Sequence, residues 1–305
     1  SISLPGCESE STPIQVTVES PPNAGSIAGT QTICSGGEPG IISNTAAGSG
    51  ASYRWESAVS PFSTWSTIGG ATSASYDPPN GLTETTQYRR VSISAAGCEN
   101  STVPIEVTVD QIPQANAGPS LAGICQGQPT PAMGGSVGGS APGGTWSSDG
   151  IGTWAFENSP SGAIYTAGAS ETGTITLTLT TVDGGCGTIT ASKTLTITES
   201  PTADAGGDLP EICDGETSAP MGGSIGGAAL TGTWTNLNGT GTWTNANSPA
   251  NATYTAGPND SALGLITLQL TASGGSCSPA VVTKTIQVNP GKSVSPGSSD
   301  TFCFF

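Results

Sequence analysis

The 305-residue chain contains no histidine, and only six lysines and arginines stand against 22 acidic residues. Without histidine there is no Ser-His-Asp or Cys-His catalysis and no His-ligated zinc. A formal net charge of −16 leaves no basic stripe to neutralise phosphates, which argues against nucleic acid as a partner. No segment approaches the roughly 20 apolar residues of a bilayer span. The sparse acids do not recur as a pair, so no general acid–base dyad is suggested. The Gly-Gly steps fall in turns between strands and lead into no helix, so no phosphate-cradling loop is present. The expectation is a chain with no catalytic residues and no cofactor, not an enzyme.

Glycine (45) and proline (23) are abundant, while only 9% of residues are charged. That mixture could suggest disorder. The apolar residues, however, fall in short alternating blocks, as folded all-β chains require. Thr174-Ile175-Thr176-Leu177-Thr178-Leu179-Thr180 alternates strictly, which puts Ile175, Leu177 and Leu179 on one face. Gly184-Gly185 and Gly274-Gly275 suit hairpin turns that need positive φ. Matching closing strands are expected at 14–18, 105–109 and 286–288, each followed by prolines that mark short linkers.

The eight cysteines, at 7, 34, 98, 125, 186, 213, 277 and 303, are separated by gaps of 27, 64, 27, 61, 27, 64 and 26 residues. This long–short alternation, with a period near 90, marks tandem units. The period matches the roughly 100 residues of one immunoglobulin-type sandwich. Ile33-Cys34, Ile124-Cys125 and Ile212-Cys213 open the units, and a tryptophan stands 21 residues after each of these cysteines, at Trp55, Trp146 and Trp234. The fold class expected is all-β: tandem immunoglobulin-like β-sandwiches with one disulfide per domain, arranged as an extended rod.

The expected domains are 21–110, 111–200 and 201–289, flanked by the end of a preceding repeat (1–20) and the start of a following one (290–305). "GCESESTPIQVTV" (6–18) repeats "GCENSTVPIEVTV" (97–109). The chain therefore reads as a window on a longer one. Pairing within each unit predicts Cys34–Cys98, Cys125–Cys186 and Cys213–Cys277, with Cys7 and Cys303 bonded to residues outside the window. Pairing across the short gaps, such as Cys98–Cys125, stays open on spacing alone. Persistent disulfides imply an oxidising compartment, so the chain is expected to be extracellular, at the cell surface or secreted. No CxxC pair suggests a metal in their place.

"NAGPSLAGICQGQ" (116–128), "DAGGDLPEICDGE" (204–216), the paired "GTW" segments (144–154, 232–243), "YTAG" (165–168, 254–257) and the "ITLTLT" strand resemble the immunoglobulin-like and PKD-like repeats of large Bacteroidota surface proteins and adhesins. The resemblance implies non-catalytic, adhesive repeats and, for many such proteins, export by the type IX secretion system. It departs from antibody domains, because Tyr88 stands ten residues before Cys98, so no tyrosine corner precedes the second cysteine.

Several residues invite sharper readings. The tryptophan pairs Trp55/Trp65, Trp146/Trp154 and Trp234/Trp243 could be sugar platforms, but recurrence in every unit points to a structural role. Asp204, Asp208, Glu211, Asp214 and Glu216 crowd one linker and suggest calcium. The equivalent stretch of the second unit holds Asn116, Ser120, Gly123, Gln126 and Gln128, which favours solvated charge. Asp260-Ser261-Ala262 resembles a Bacteroidota O-glycosylation motif, with Ser261 the acceptor. Lys193 and Lys284 are expected to blunt a strand edge, with an isopeptide bond the less favoured reading. Two function classes follow: a structural or adhesive stalk or filament presenting a binding tip, or spacer modules of a secreted polysaccharide-degrading enzyme. The expected partners are neighbouring repeats, other surface proteins or surface glycans.

Overall fold

The computed structural model of the chain describes residues 12–291; Cys7 and Cys303 lie outside them. Strands and the irregular segments that join them make up almost all of the described residues, and the only helix among them is the four-residue Asp260–Leu263. No helix there is long and apolar enough to cross a membrane.

The third repeat shows how the pattern becomes a fold. Leu265–Ser273 pairs antiparallel with Ala280–Asn289 on one side and with Thr231–Asn236 on the other. The two-residue strand Ile212–Cys213 then adds to the outer edge in parallel, Cys213 opposite Asn289. Period-two side chains divide cleanly between the faces of such a ladder. Ile266, Leu268, Leu270 and Ala272 are each fully buried, while the residues between them face out. Burying each branched aliphatic stabilises by about 2 kcal/mol. Small two-stranded pairs, Thr202–Asp204 with Ser224–Gly226 and Thr242–Thr244 with Thr253–Thr255, supply the rest of the sandwich.

The second repeat builds the same four-stranded order from Ile124–Cys125, Thr190–Thr198, Gly173–Thr181 and Gly144–Ser148. Ile175, Leu177 and Leu179 lie in its core, on the face the alternation predicts. The first repeat widens the sheet. Thr86–Ile93 lies between Ser52–Val59 and Ile105–Asp110, Gln31–Cys34 runs parallel to the latter, and Ser66–Ile68 and Glu99–Ser101 add to the sheet. Three hydrophobic clusters result, around Trp55, Trp146 and Trp234. The chain is all-β, a tandem of immunoglobulin-like sandwiches.

The expected strand at 14–18 is a correction: no ladder partner meets it among the described residues. Ile14, Val16 and Val18 are 89%, 81% and 91% exposed. A strand needs a neighbour for its backbone hydrogen bonds and its apolar face, and here none is supplied. By contacts the chain divides into two compact units. One runs to Gln114 and includes Gly138–Pro142 and Thr181–Ile189, and the other holds Ala115–Val137, Gly143–Thr180 and the residues from Thr190 onward.

Candidate functional site

The chemistry this sequence concentrates is sulfur, so the candidate site is built from the cysteines. The structure bonds Cys34 to Cys186 and Cys125 to Cys277, with Cα–Cα distances of 5.5 and 5.8 Å. Both bonds span 152 residues. The expected pairs Cys34–Cys98, Cys125–Cys186 and Cys213–Cys277 are therefore corrected: the first cysteine of one repeat bonds to the second cysteine of the next.

Strand geometry gives the reason. In the third repeat, Cys213 pairs alongside Asn289, at the far end of the closing strand Ala280–Asn289. Cys277 lies in the hairpin turn just before that strand begins. A ten-residue strand at about 3.4 Å per residue holds its ends roughly 30 Å apart. A disulfide requires Cα atoms about 4.4–6.8 Å apart. The two cysteines of one repeat thus sit at opposite ends of it. The first repeat shares this design, with Cys34 opposite Asp110 at the end of Ile105–Asp110.

Each junction has more than sulfur. At the first, Cys34 Sγ lies 3.6 Å from the Gly185 carbonyl oxygen and Cys186 Sγ 3.8 Å from that of Asp110. Ser140 N–H donates to the Gln111 carbonyl. Asp183 Oδ1 accepts from the N–H groups of Gly185 and Gly187 and shapes the turn that presents Cys186. Gly139 has φ +68°, and a Cβ there would run into the Ile112 carbonyl. At the second junction Gly227, with φ +61°, would meet Ser200 in the same way. The Ser200 N–H donates to Gln126 Oε1, beside Cys125. Backbones approach too closely for side chains at both junctions, so glycine is required.

Cys98 is half-buried and has no sulfur partner among the described residues. The Cys213 N–H donates to Glu216 Oε2.

A family model described as "Domain of unknown function (DUF8696)" matches residues 23–111. No curated protein matches the chain in sequence. Among solved structures, it is similar to the Dpr2 Ig1-Ig2 complex with DIP-Theta Ig1-Ig3, at 11% identity and a TM-score of 0.43, over 89% of this chain and 100% of that one. It is also similar to mouse cadherin-23 EC22-24, at 11% identity and a TM-score of 0.42, over 90% and 100% of the two chains. The insect immune protein hemolin aligns at 13% identity and a TM-score of 0.35, over 88% of this chain and 75% of that one.

The other candidate residues resolve into core architecture. Trp55, Trp146 and Trp234 are buried, and their indole N–H groups donate to the carbonyls of Ser73, Pro160 and Pro249. In the second and third repeats the paired tryptophan stacks on the buried one, with centroids 6.0 and 5.9 Å apart. The first repeat differs: Tyr76 stacks on Trp55, and Trp65 instead lies under the Arg89 guanidinium, 4.1 Å from its ring centroid.

Lys193 and Lys284 do not blunt an edge. Each is half-buried, and its ammonium donates to two carbonyls: Pro119 and Met133 for Lys193, Gly207 and Met221 for Lys284. Each also lies over a core tryptophan, at 5.2 and 5.8 Å. Burial lowers both pKa values, an effect that Asp208 and Asp204 oppose at Lys284.

The acids of 204–216 are taken up singly. Asp204 Oδ1 accepts from the Gly206 N–H, Glu211 Oε2 from the Asn289 side chain, and Asp214 from the N–H and hydroxyl of Ser261. Asp208 is exposed. No three acids converge as a metal site among the described residues. Ser261 is half-buried with its hydroxyl engaged, and Asp260 beside it is fully buried.

Asp260 exposes a feature that the sequence reading missed. Its carboxylate accepts from the Tyr254 hydroxyl at 2.6 Å and from the N–H groups of Thr240 and Gly257. Glu171 does the same with the Tyr165 hydroxyl, Ile151 N–H and Gly168 N–H. Burial pushes both carboxyls up, but the donated hydrogen bonds outweigh it and hold them below the ordinary carboxylate range. The available signal was an acid six residues after the tyrosine of each "YTAG".

Proposed function

We propose that this chain is a non-catalytic structural and adhesive repeat region of a large extracellular or cell-surface protein, in which stapled repeats form a stalk or filament that presents a binding tip. The observation that carries the reading is the pair of disulfides that join each repeat to the next. A bond within a domain stabilises only that domain, whereas a bond across a junction transmits tension past it. Two such bonds also fit the oxidising conditions outside the cytoplasm. On this reading 21–110, 111–200 and 201–289 are successive domains, and 1–20 and 290–305 belong to further repeats. The partners are neighbouring repeats and other surface proteins or glycans. The resemblance to Bacteroidota surface proteins adds type IX export as the route.

Antibodies against the chain, applied to intact cells of the source organism, test this reading. Surface labelling, with loss of attachment on deletion of the gene, is the expected result. Labelling only after lysis, or deletion that removes a secreted polysaccharide hydrolase activity and leaves attachment intact, would overturn it.

A further inference from the structure

We infer that residues 13–18 are a docking strand, which completes another immunoglobulin-like repeat of the same kind, and that Cys98 is stapled to the first-position cysteine of that same repeat. Two independent observations identify this partner. The first is the strand itself. "PIQVTV" (13–18) matches "PIEVTV" (104–109) at five of six positions. In the latter, Val107 and Val109 are buried at 0% and 8% exposure, between Gln31–Cys34 and Thr86–Ile93. The equivalent Val16 and Val18 are 81% and 91% exposed. An apolar, alternating segment whose backbone meets no ladder partner among the described residues is a template for strand addition. Its side chains fit the slot between an opening strand and the strand that Thr86–Ile93 represents.

The second observation is the sulfur register. Both disulfides join a first-position cysteine to the second-position cysteine one repeat further on, across the same 152 residues. Cys98 holds the second position in its repeat, in the turn before Glu99–Ser101, and has no sulfur partner among the described residues. The rule assigns it a first-position cysteine in a repeat on the N-terminal side. That is the repeat whose closing strand 13–18 would be. In the known junctions the first-position cysteine lies beside the last residue of the closing strand, as Cys34 lies opposite Asp110. Glu19 takes the place of Asp110 here, which puts strand and sulfur at one junction. The inference rests on the reading above that 1–20 belong to a further repeat, and it holds whether the region serves as a stalk or as a spacer.

The test adds a repeat to the full chain. A copy of 21–103, carrying Cys98→Ser within the copy, is spliced ahead of Pro13 so that 13–18 takes the place of 104–109. A comparison chain carries the copy as 21–110 and keeps its own closing strand. In the spliced chain, amides of 14–18 should gain at least 100-fold protection from hydrogen exchange. Non-reducing peptide mapping should find the copied Cys34 bonded to Cys98. In the comparison chain 14–18 should stay unprotected while the added repeat folds. Val16→Asp in the spliced chain should remove the protection and leave Cys34–Cys186 intact. A comparison chain that folds beside a spliced chain whose added repeat does not would overturn the strand assignment. An unpaired Cys98 in the spliced chain would overturn the sulfur register. Disulfide-linked dimers of the unmodified chain through Cys98 would overturn the choice of partner in favour of a second copy.

Discussion

Interleaved staples make a prediction about length under force. Consider a molecule cut to residues 21–289, held at its two ends and pulled until every repeat has unfolded. With both disulfides intact, the taut path runs from Pro21 to Cys34 and crosses to Cys186. It then returns along the chain to Cys125, crosses to Cys277 and ends at Asn289. That path holds about 86 residues, about 290 Å at roughly 3.4 Å per extended residue. Reduction frees the whole span, for a length of about 910 Å. Pairing within repeats would give nearly the same oxidised length, so the wild-type chain alone does not discriminate. Cys98→Ser does. It leaves the interleaved path unchanged at about 290 Å, but would lengthen a path of within-repeat bonds to about 490 Å. Cys186→Ser should in turn extend the chain to about 390 Å. Optical-tweezers contour lengths, with handles attached through peptide tags so that no cysteine is added, read these values directly. Lengthening of the Cys98→Ser molecule would refute the connectivity.

Three further outcomes follow from the cores. The folded-state pKa values of Glu171 and Asp260 lie below the ordinary carboxylate value, so their stabilisation is complete above about pH 4 and is lost as pH falls through the folded-state value. Calorimetry from pH 7 to 3 should show a falling Tm in the wild type and a flatter profile in the Glu171→Gln/Asp260→Asn double variant. Parallel profiles would contradict the assignment. Lys284→Met removes the donor shared by the Gly207 and Met221 carbonyls, and should cost about 1–3 kcal/mol in urea unfolding. A neutral result would return Lys284 to a surface role. Arg90 is fully buried, and its guanidinium donates to Asn44 Oδ1 and to the carbonyls of Ala24, Ala46 and Ala74. Arg90→Met should destabilise the first repeat by about 3 kcal/mol or more, read as a shift of its own denaturant transition.

Local chemistry explains why some of this was legible in the sequence. Strict alternation in Thr174–Thr180 fixes which residues face the core, because a strand has only two faces. Trp146 and Trp234 recur at one spacing because each fills the same hole, and their burial follows from that. Cysteine pairing is different. Spacing records distance along the chain, while bonding depends on which end of the closing strand each sulfur occupies. That end is set by the parallel addition of Ile212–Cys213 beside Val288 and Asn289, and a two-residue strand leaves almost no pattern. The lysines misled for a related reason. Lys193 and Lys284 sit on alternating strands like surface residues, and only the loops folded over them, at Met133 and Met221, turn them inward. The buried carboxylates were hidden because a single acid after "YTAG" looks like ordinary turn chemistry. Arg90 has no counterpart in the other repeats, where Leu179 and Leu270 stand at its place in the equivalent strands.

The crossing of the two disulfides also bears on survival after damage. Any single cut of the backbone between Cys34 and Cys277 falls inside at least one closed loop, because the loops 34–186 and 125–277 overlap. A protease that finds the linker at Ile112, which is exposed, or the one before Pro201 therefore nicks the molecule without severing it. Both fragments stay covalently attached, and only reduction releases them. With bonds confined to single repeats, the same cut between Cys98 and Cys125 would have divided the chain in two.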